Sequence, residues 1–332
     1  MSDPERRTPH SLPPFHRVAV VVVTFNSAPL LPDLIMSLPA GMSGCAWELI
    51  VVDNASHDET VPTIQDLLPA ARIVQLGRNA GYAAGINAGV SVASTHTAVL
   101  VLNPDVRLHP GAAFTLAEAL AAPGVGIAVP WLEDGAGRRI DSLRREPTVR
   151  RAWADTLLSA RRAGRLGEVV VEPHQYAEER LTDWAEGSTQ LISAECWSAS
   201  GPWDESYFLY SEETEYNLRA RDRGFATLFV PGARAVHLEG GSGSSPALTA
   251  LLLVNSVRLF GRRNAGWRTA LFWLAVVLRE ARRVGAGRRE HRVALRALLS
   301  PRLFRAEPGP EWLADVASFS NSPREAPLPA NT

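Results

Sequence analysis

The chain has 332 residues, 46% of them hydrophobic, and its 34 basic and 35 acidic residues give a net charge of −1. A chain of this size and composition can bury a substantial core in one large domain or two. Cys45 and Cys196 are its only cysteines, which excludes a disulfide scaffold and a thiolate metal site and favours a reducing, cytoplasmic location.

The first 16 residues are polar and proline-rich, and we expect them to be disordered. They contain no apolar segment of the kind that a secretory signal needs. From Val18 onward, β-branched runs typical of buried strands alternate with segments of helical spacing. Predicted strands cover 18–23, 48–52, 72–76, 97–102 and 125–130, and predicted helices lie between them at 29–38, 59–68, 83–92 and 111–120. This alternation predicts an α/β fold whose mainly parallel sheet is covered by helices on both faces.

The pattern changes after residue 130. A basic stretch over 138–165 is interpreted as an insert over one edge of the sheet. Strand patterns return at 189–194 and 226–230, and a glycine- and serine-rich loop at 240–245 is expected to close the domain. We therefore predict one α/β domain over residues 17–245.

A basic helical region is predicted over 246–305, followed by a flexible tail over 306–332. Between residues 258 and 305, thirteen arginines stand against two glutamates, a local charge of +11. The apolar runs in this region are shorter than the about 20 residues that span a bilayer. Arginines beside Trp, Phe and Leu fit peripheral contact with an anionic membrane surface, at the inner face of the plasma membrane, and equally fit a helical pair packed on the domain. No nucleic-acid motif accompanies the charge, so we expect no nucleic-acid partner.

Polar residues follow several strand-like segments, at the edge where open α/β sheets bind ligands. They are Asp53 after 49–52, Asp105 after 97–102, Glu212 and Glu213 after 207–210, and His237 after 233–236. Mg²⁺ and Mn²⁺ often bind through one or two carboxylates together with substrate phosphates. Asp105 and His237 with a diphosphate would make a reasonable shell for such an ion.

Segments in this order resemble glycosyltransferase family 2, whose members are inverting enzymes that use nucleotide-sugar donors. The matching segments are VVVTFNS at 21–27, VVDNAS at 51–56, RNAGYAAGINAG at 78–89, LNPD at 102–105, WDESYFLYSEETEYNLR at 203–219, and His237. The resemblance covers about residues 18–245 and is nearest in character to the bacterial rhamnosyltransferase-like and galactofuranosyltransferase-like branch. It implies the GT-A fold and a divalent cation, Mg²⁺ or Mn²⁺, that offsets the charge of the departing nucleoside diphosphate.

The resemblance also implies roles for particular residues on the donor side. The predicted nucleotide-sugar-binding residues are Thr24, Asn26, Asp53, Asn79, Asn103 and Asp105, and the predicted metal ligands are Asp105 and His237. Asn103 stands where the family's metal motif has its first Asp. This replacement leaves fewer protein charges on the ion, so we expect weaker metal binding in the absence of donor.

Transfer also needs a base that takes the proton of the acceptor hydroxyl. The family typically has Glu-Asp where this chain has Glu212-Glu213, so Glu213 is the predicted catalytic base, with Glu212 as the fallback and as an acceptor contact. Trp184 and Gly187 resemble the family's acceptor-pocket segment. There we expect the indole of Trp184 to stack on a sugar ring.

Each of these residues also has a structural interpretation. Asp105 could be a turn residue after Pro104, and Asp53 could belong to a helix-capping cluster. Glu212 and Glu213 could favour a helix N-terminus, while His237 and Trp184 could be ordinary structural side chains.

The leading prediction is an inverting, metal-dependent enzyme that transfers a sugar, with rhamnose favoured, from a dTDP- or UDP-sugar. The acceptor would be a hydroxyl of a cell-surface glycan or a lipid-linked glycolipid. Two other functions stay open. A sugar-phosphate nucleotidyltransferase would want a glycine-rich basic loop after the first strand, which 24–31 does not offer. The other is a non-catalytic nucleotide-sugar-binding scaffold at the membrane surface.

Overall fold

A computed structural model describes residues 16–158, 164–238, 245–288 and 291–319. Its strands are β1 (Arg17–Thr24), β2 (Ala46–Asp53), β3 (Arg72–Gln75), β4 (Ala98–Leu102), β5 (Val106–Leu108), β6 (Val125–Glu133), β7 (Leu143–Arg144), β8 (Arg180–Thr182), β9 (Trp184–Ala185), β10 (Thr189–Ser193) and β11 (Ala226–His237). Its helices are α1 (Leu31–Gly41), α2 (Thr60–Leu67), α3 (Tyr82–Val92), α4 (Ala112–Ala119), α5 (Val149–Leu157), α6 (Ala194–Ser200), α7 (Glu212–Asp222), α8 (Pro246–Arg263), α9 (Gly266–Gly285), α10 (His291–Leu299), α11 (Pro301–Arg305) and α12 (Pro310–Ser318). The expected N-terminal disorder over 1–15 and most of the loop expected at 240–245 lie outside the described residues.

The central sheet has the strand order β3-β2-β1-β4-β10-β6-β11-β5, with β8 paired to β11. Its first half is parallel as predicted, since β1 pairs in parallel with β2 and β4, and β2 with β3. Its second half is mixed, because β10 runs antiparallel between β4 and β6, and β5 and β8 run antiparallel to β11. Strand β10 starts at Thr189, opposite the last residue of β4, Leu102. The chain therefore enters β10 from the edge at which the parallel strands end, and the residues before β10 lie at that edge.

Both faces of the sheet are buried, as continuous β-branched strands require. Alternate residues of β1 pack into two separate cores, with Val20 on one side and Val21 on the other. Helices α1, α2 and α4 cover the first side, and α3, α6 and α7 cover the second. The predicted two-sided covering of the sheet is confirmed.

A third core joins the C-terminal helices to one another and to α5. Helix α5 lies in the basic stretch that we interpreted as an insert over a sheet edge, yet it packs on α9, where the Thr156 hydroxyl donates to the Ala275 carbonyl at 2.9 Å. None of the helices within the described ranges combines the length and apolar character needed to cross a bilayer.

The prediction of a flexible tail from residue 306 is wrong for residues 310–318, and residues 320–332 lie outside the described part of the chain. Residues 310–318 form α12, in which Trp312 and Val316 are buried in the third core. The indole N–H of Trp312 donates to the Leu303 carbonyl at 2.9 Å. Trp312 and Val316 lie four residues apart on one face of this helix and pack on a hydrophobic surface that other segments supply. The local composition of the tail gives no sign of that surface.

Candidate active site

The predicted site residues gather at the edge where β1, β2, β4 and β11 end. Two backbone hydrogen bonds join the segments there: Asn103 N–H donates to the Ser188 carbonyl at 2.9 Å, and Leu238 N–H donates to the Asp105 carbonyl at 3.0 Å. The first bond places the segment before β10 beside β4. The second places His237 beside Asp105, although the two residues are far apart in the chain.

Asp105 and His237 form a buried pair in which one carboxylate oxygen has no hydrogen-bond partner. The Nε2 atom of His237 lies 3.4 Å from Oδ1 of Asp105. That oxygen is buried and accepts no hydrogen bond, which is costly for a carboxylate unless a ligand meets it. Burial alone would raise the pKa of Asp105, but His237 and Arg107 lower it below its ordinary value and keep the group ionised. One carboxylate oxygen and one imidazole nitrogen at this spacing fit a divalent cation.

Glu186 lies behind the imidazole and was not predicted as a site residue. Its Oε1 is 2.7 Å from Nδ1 of His237, off the direction of the N–H, so the contact is an ion pair without a well-formed hydrogen bond. Burial would lower the pKa of His237, but the carboxylates of Asp105 and Glu186 raise it to about 10. A carboxylate behind a metal-binding imidazole fixes its orientation. The signal in the sequence was an acidic residue directly before Gly187.

Within the described residues, no group of three or more His, Cys, Asp or Glu side chains could hold a metal ion together. Asp105 contacts Nε2 of His237, whereas Glu186 contacts Nδ1. An ion bound at Nε2 would therefore have Asp105, and not Glu186, as a neighbouring ligand. A cation at this place would need further oxygen ligands from outside the chain, as expected for an ion bound together with a diphosphate.

Glu213 stands in the first turn of α7, next to Gly187. A Cβ atom added at Gly187 would lie 3.1 Å from Cβ of Glu213, so the glycine leaves the room that the carboxylate side chain uses. Burial and the charge of Glu186 together raise the pKa of Glu213 to about 7, against the opposing effects of its backbone hydrogen bonds and Arg144. A carboxyl group that titrates near neutrality is suited to general base catalysis.

Glu212 is more deeply buried than Glu213, and its Oε2 has no hydrogen-bond partner. Burial and the charge of Glu213 raise its pKa well above the ordinary value, which favours its protonated form. The side chain is therefore placed at the site but is not open to an acceptor, contrary to the prediction. The physical reason is the close packing of the loop that enters α7.

Trp184 also differs from the expectation. Its indole is 8% exposed, its N–H donates to the Arg145 carbonyl at 3.2 Å, and the Arg144 guanidinium lies 5.7 Å from the ring centre. Because β9 pairs with β7, the ring is buried and does not offer a face to a sugar. The structural interpretation of Trp184 is the one that fits.

The predicted donor-binding residues are held by hydrogen bonds among themselves. Asp53, at the end of β2, accepts bonds from the Thr24 hydroxyl at 3.2 Å and from the Ser56 N–H and hydroxyl at 3.0 and 2.5 Å. Asn26 N–H donates to the Ser56 hydroxyl at 2.8 Å. The loops after β1 and β2 are thus fastened together at this edge.

Asn79 precedes α3 in the sequence and Asn103 follows β4, and both side chains contact residues at the start of α3. The Asn79 side chain accepts the Gly81 N–H at 3.2 Å, and the Asn103 side chain accepts the Tyr82 hydroxyl at 2.6 Å. Tyr82 also reaches the Gly187 carbonyl at 3.4 Å, so it connects the donor-side loop to the segment before β10. Sequence reasoning did not single out Tyr82, since the side chain sits inside a glycine-rich motif.

Backbone strain concentrates at this edge. Four non-glycine residues among those described have positive φ, and all four lie in the segments predicted to bind substrate or carry the base. They are Asn26 (52°), Ala55 (61°), Tyr210 (68°) and Ser211 (75°). Non-glycine residues in this region store energy and occur preferentially at functional sites.

A residue of the C-terminal region holds the strained turn before Glu212. Asn255 is buried in α8, and its side-chain N–H groups donate to the carbonyls of Leu209 and Tyr210 at 3.0 and 3.2 Å. The helical region beyond the sheet is therefore part of the support for α7. No local signal marks Asn255, because the contact joins distant parts of the chain.

Comparisons with known proteins agree with this architecture. Residues 19–165 match the model of Glycosyl transferase family 2. The chain is similar to N-acetylglucosaminyl-diphospho-decaprenol L-rhamnosyltransferase of Mycobacterium tuberculosis, at 28% identity over 76% of this chain and 87% of that protein. It is also 27% identical to a low-salt glycan biosynthesis hexosyltransferase of Haloferax volcanii, over 61% of each chain.

Two solved structures share the fold at low identity. The mannosyltransferase PcManGT from Pyrobaculum calidifontis, in complex with GDP-Man and Mn²⁺, has a TM-score of 0.53 and 18% identity over 94% of this chain and 89% of that one. GalNAc-T7 with UDP, GalNAc and Mn²⁺ has a TM-score of 0.53 and 18% identity, over 74% of this chain and 47% of that one. The chain is therefore a glycosyltransferase with the predicted GT-A fold, and its residues 19–165 match glycosyltransferase family 2.

Proposed function

We propose that this glycosyltransferase is metal-dependent and inverting, and that it moves rhamnose from a dTDP- or UDP-sugar to a hydroxyl of a lipid-linked glycan. The observation that carries the proposal is the buried pair of Asp105 and His237, with its unsatisfied carboxylate oxygen, linked to Glu213 through Glu186, which contacts His237 and whose charge acts on Glu213. The mycobacterial relative is named as an L-rhamnosyltransferase that acts on N-acetylglucosaminyl-diphospho-decaprenol. That name supports rhamnose as the sugar and a diphospho-polyprenol glycolipid as the acceptor.

Asp105 and His237 would hold Mg²⁺ or Mn²⁺, and the two solved structures with this fold, PcManGT and GalNAc-T7, contain Mn²⁺. When bound, such an ion offsets the negative charge that grows on the diphosphate leaving group. Glu186 would keep the imidazole in place for this task. Thr24, Asn26, Asp53, Asn79 and Asn103 would surround the nucleotide.

Glu213 would accept the proton of the acceptor hydroxyl. The acceptor oxygen forms the new bond at the anomeric carbon while the bond from that carbon to the diphosphate oxygen breaks, which inverts the configuration in one step. One base is enough for such a displacement, so a second ionised carboxylate is not needed as a nucleophile. The raised pKa of Glu212 agrees with this requirement.

A transfer assay tests the proposal. The purified chain is incubated with dTDP-rhamnose or other nucleotide sugars and an N-acetylglucosaminyl-diphospho-lipid, with Mn²⁺ or with EDTA. We expect a rhamnosylated product of inverted anomeric configuration by NMR, and no product with EDTA. Donor binding that is the same with and without metal in a thermal-shift assay would contradict the roles of Asp105 and His237. Release of pyrophosphate from a nucleoside triphosphate and a sugar phosphate would favour a nucleotidyltransferase instead.

A further inference from the structure

Helix α9 has one apolar face that no other described residue covers. Trp267, Leu271, Leu274 and Leu278 recur at intervals of three and four and are 65%, 38%, 38% and 39% exposed. At about 1.5 Å per residue this row, called here the α9 stripe, is about 16 Å long. The opposite side of the helix is buried, as at Phe272 and Val276, so the stripe is presented by a firmly packed element. Contiguous exposed apolar rows of this kind mark interaction surfaces.

Two adjoining cavities begin where the α9 stripe begins. The first, about 600 Å³, lies between the start of α5 and the turn from α8 to α9, and Arg150, Trp267 and Arg268 line it. The second is about 460 Å³ and is lined by further arginines. The arginines of both cavities, called here the arginine groove, are Arg145, Arg150, Arg151, Arg165 and Arg268. The two cavities share Thr148 and Arg150 as lining residues, so they lie side by side.

Most of this positive charge is not neutralised inside the molecule. Arg145 pairs with Glu172, and Glu146, the acidic residue that lines the first cavity, pairs with Arg221. Arg150, Arg165 and Arg268 have no carboxylate within ion-pair distance among the described residues. Guanidinium groups bind phosphate oxygens in a bidentate manner. The groove is therefore complementary to clustered phosphates.

We propose that the α9 stripe and the arginine groove together dock the enzyme on an anionic lipid bilayer. The stripe would enter the interface between head groups and acyl chains, and the arginines would contact lipid phosphates, as in other peripheral amphipathic helices. A soluble polyanion would use the groove but not the apolar row, which is why the bilayer is the better match. The inference goes beyond the proposed transfer reaction and does not depend on it.

The docking surface borders the site. Arg145 lines the groove, and its carbonyl accepts the indole N–H of Trp184, two residues before Glu186. A docked membrane would thus lie next to the segment that carries Glu186 and Gly187. An acceptor anchored in that membrane would approach Glu213 from this side.

Sedimentation with lipid vesicles tests the proposal on the full chain, without donor or acceptor. We expect binding to phosphatidylglycerol/phosphatidylcholine vesicles at low salt. Binding to phosphatidylcholine alone, or at high salt, should be weaker by a factor of about ten or more. The double variant L271S/L274S and the double variant R150E/R268E should each weaken binding about ten-fold or more. M36S/L181S is the matched control, because Met36 and Leu181 are 69% and 61% exposed in α1 and β8. That control should bind like the unchanged chain.

Thermal unfolding of each variant shows whether it is folded, since all substituted side chains are exposed. Equal sedimentation of the unchanged chain and L271S/L274S would overturn the proposal, and so would binding that R150E/R268E leaves intact. Light scattering provides the remaining outcome. If the stripe variants convert an oligomer to a monomer without altering vesicle binding, the stripe binds a second copy of the chain and the proposal is wrong.

Discussion

The two sides of the active-site edge differ in whether their buried polar groups are hydrogen-bonded. On the donor side, Asp53, Thr24 and Ser56 are joined to one another by hydrogen bonds. On the reaction side, Oδ1 of Asp105 and Oε2 of Glu212 are buried without a hydrogen-bond partner. Groups that are already paired keep loops in position, whereas unpaired buried groups are costly until a ligand or a proton meets them. Under the proposed function, this difference would correspond to a nucleotide site that is held in place before the donor binds, beside a reaction centre that its substrates complete.

The largest expected effect comes from E213Q, which keeps the size of the side chain and removes its ability to take a proton. We expect kcat to fall about 10²- to 10⁴-fold, the usual range for loss of a general base. Donor affinity, measured by calorimetry, should change little. E215Q is the matched control on the same helix, since Glu215 pairs with Arg219. If E215Q lowers kcat as much as E213Q, the base has been misassigned.

A paired substitution, D105N and D53N, tests the comparison itself. D105N should lower kcat/KM about 10²- to 10³-fold, because it weakens the electrostatic stabilisation of the leaving group. It should also abolish the effect of Mn²⁺ on donor binding. D53N replaces one of the two carboxylate oxygens, which together accept three hydrogen bonds, by an NH2 group that cannot accept one. It should therefore lower the free energy of unfolding by about 1–3 kcal/mol and leave the metal dependence intact. Loss of metal dependence in D53N would show that the two sides are not separate.

The third test concerns Glu186 and the pH dependence. The base must be ionised, so kcat/KM of the unchanged enzyme should rise with pH through about 7, the pKa of Glu213. The charge of Glu186 raises that pKa, and E186Q should therefore move the rising limb to lower pH. The same variant frees the imidazole of His237 and should weaken Mn²⁺ affinity about 10- to 100-fold, measured with donor present. A rising limb that stays in place would argue against the electrostatic effect of Glu186 on Glu213.

The smallest expected effect is that of N255A, which removes two hydrogen bonds to the turn before α7. We expect a loss of about 1–3 kcal/mol in the free energy of unfolding, together with a several-fold lower kcat and unchanged donor affinity. N264A is the control, since the side chain of Asn264 donates to a carbonyl of its own helix, that of Phe260. An equal loss of kcat in both variants would mean that the effect is general destabilisation.

Much of the sheet could be predicted, because the apolar runs and helical segments alternate plainly through residue 130. The antiparallel direction of β10 could not be predicted, because a short apolar strand has the same sequence pattern in either direction. Only the path of the chain that leads into it determines its direction. Asp105 and His237 could be placed at one edge because each follows a strand. Glu186, Tyr82 and Asn255 act through contacts between distant segments, which no local pattern encodes.

Because Asn255 donates hydrogen bonds to the turn before α7, the part of the chain needed for catalysis extends further than the part needed to bind the donor. A protein shortened to end at residue 238 would retain every strand of the sheet and both loops around Asp53. It would lack the hydrogen bonds from Asn255 to the turn that positions Glu213. Where the shortened chain folds, it should still bind the nucleotide but turn over slowly, because the turn that positions Glu213 is no longer held.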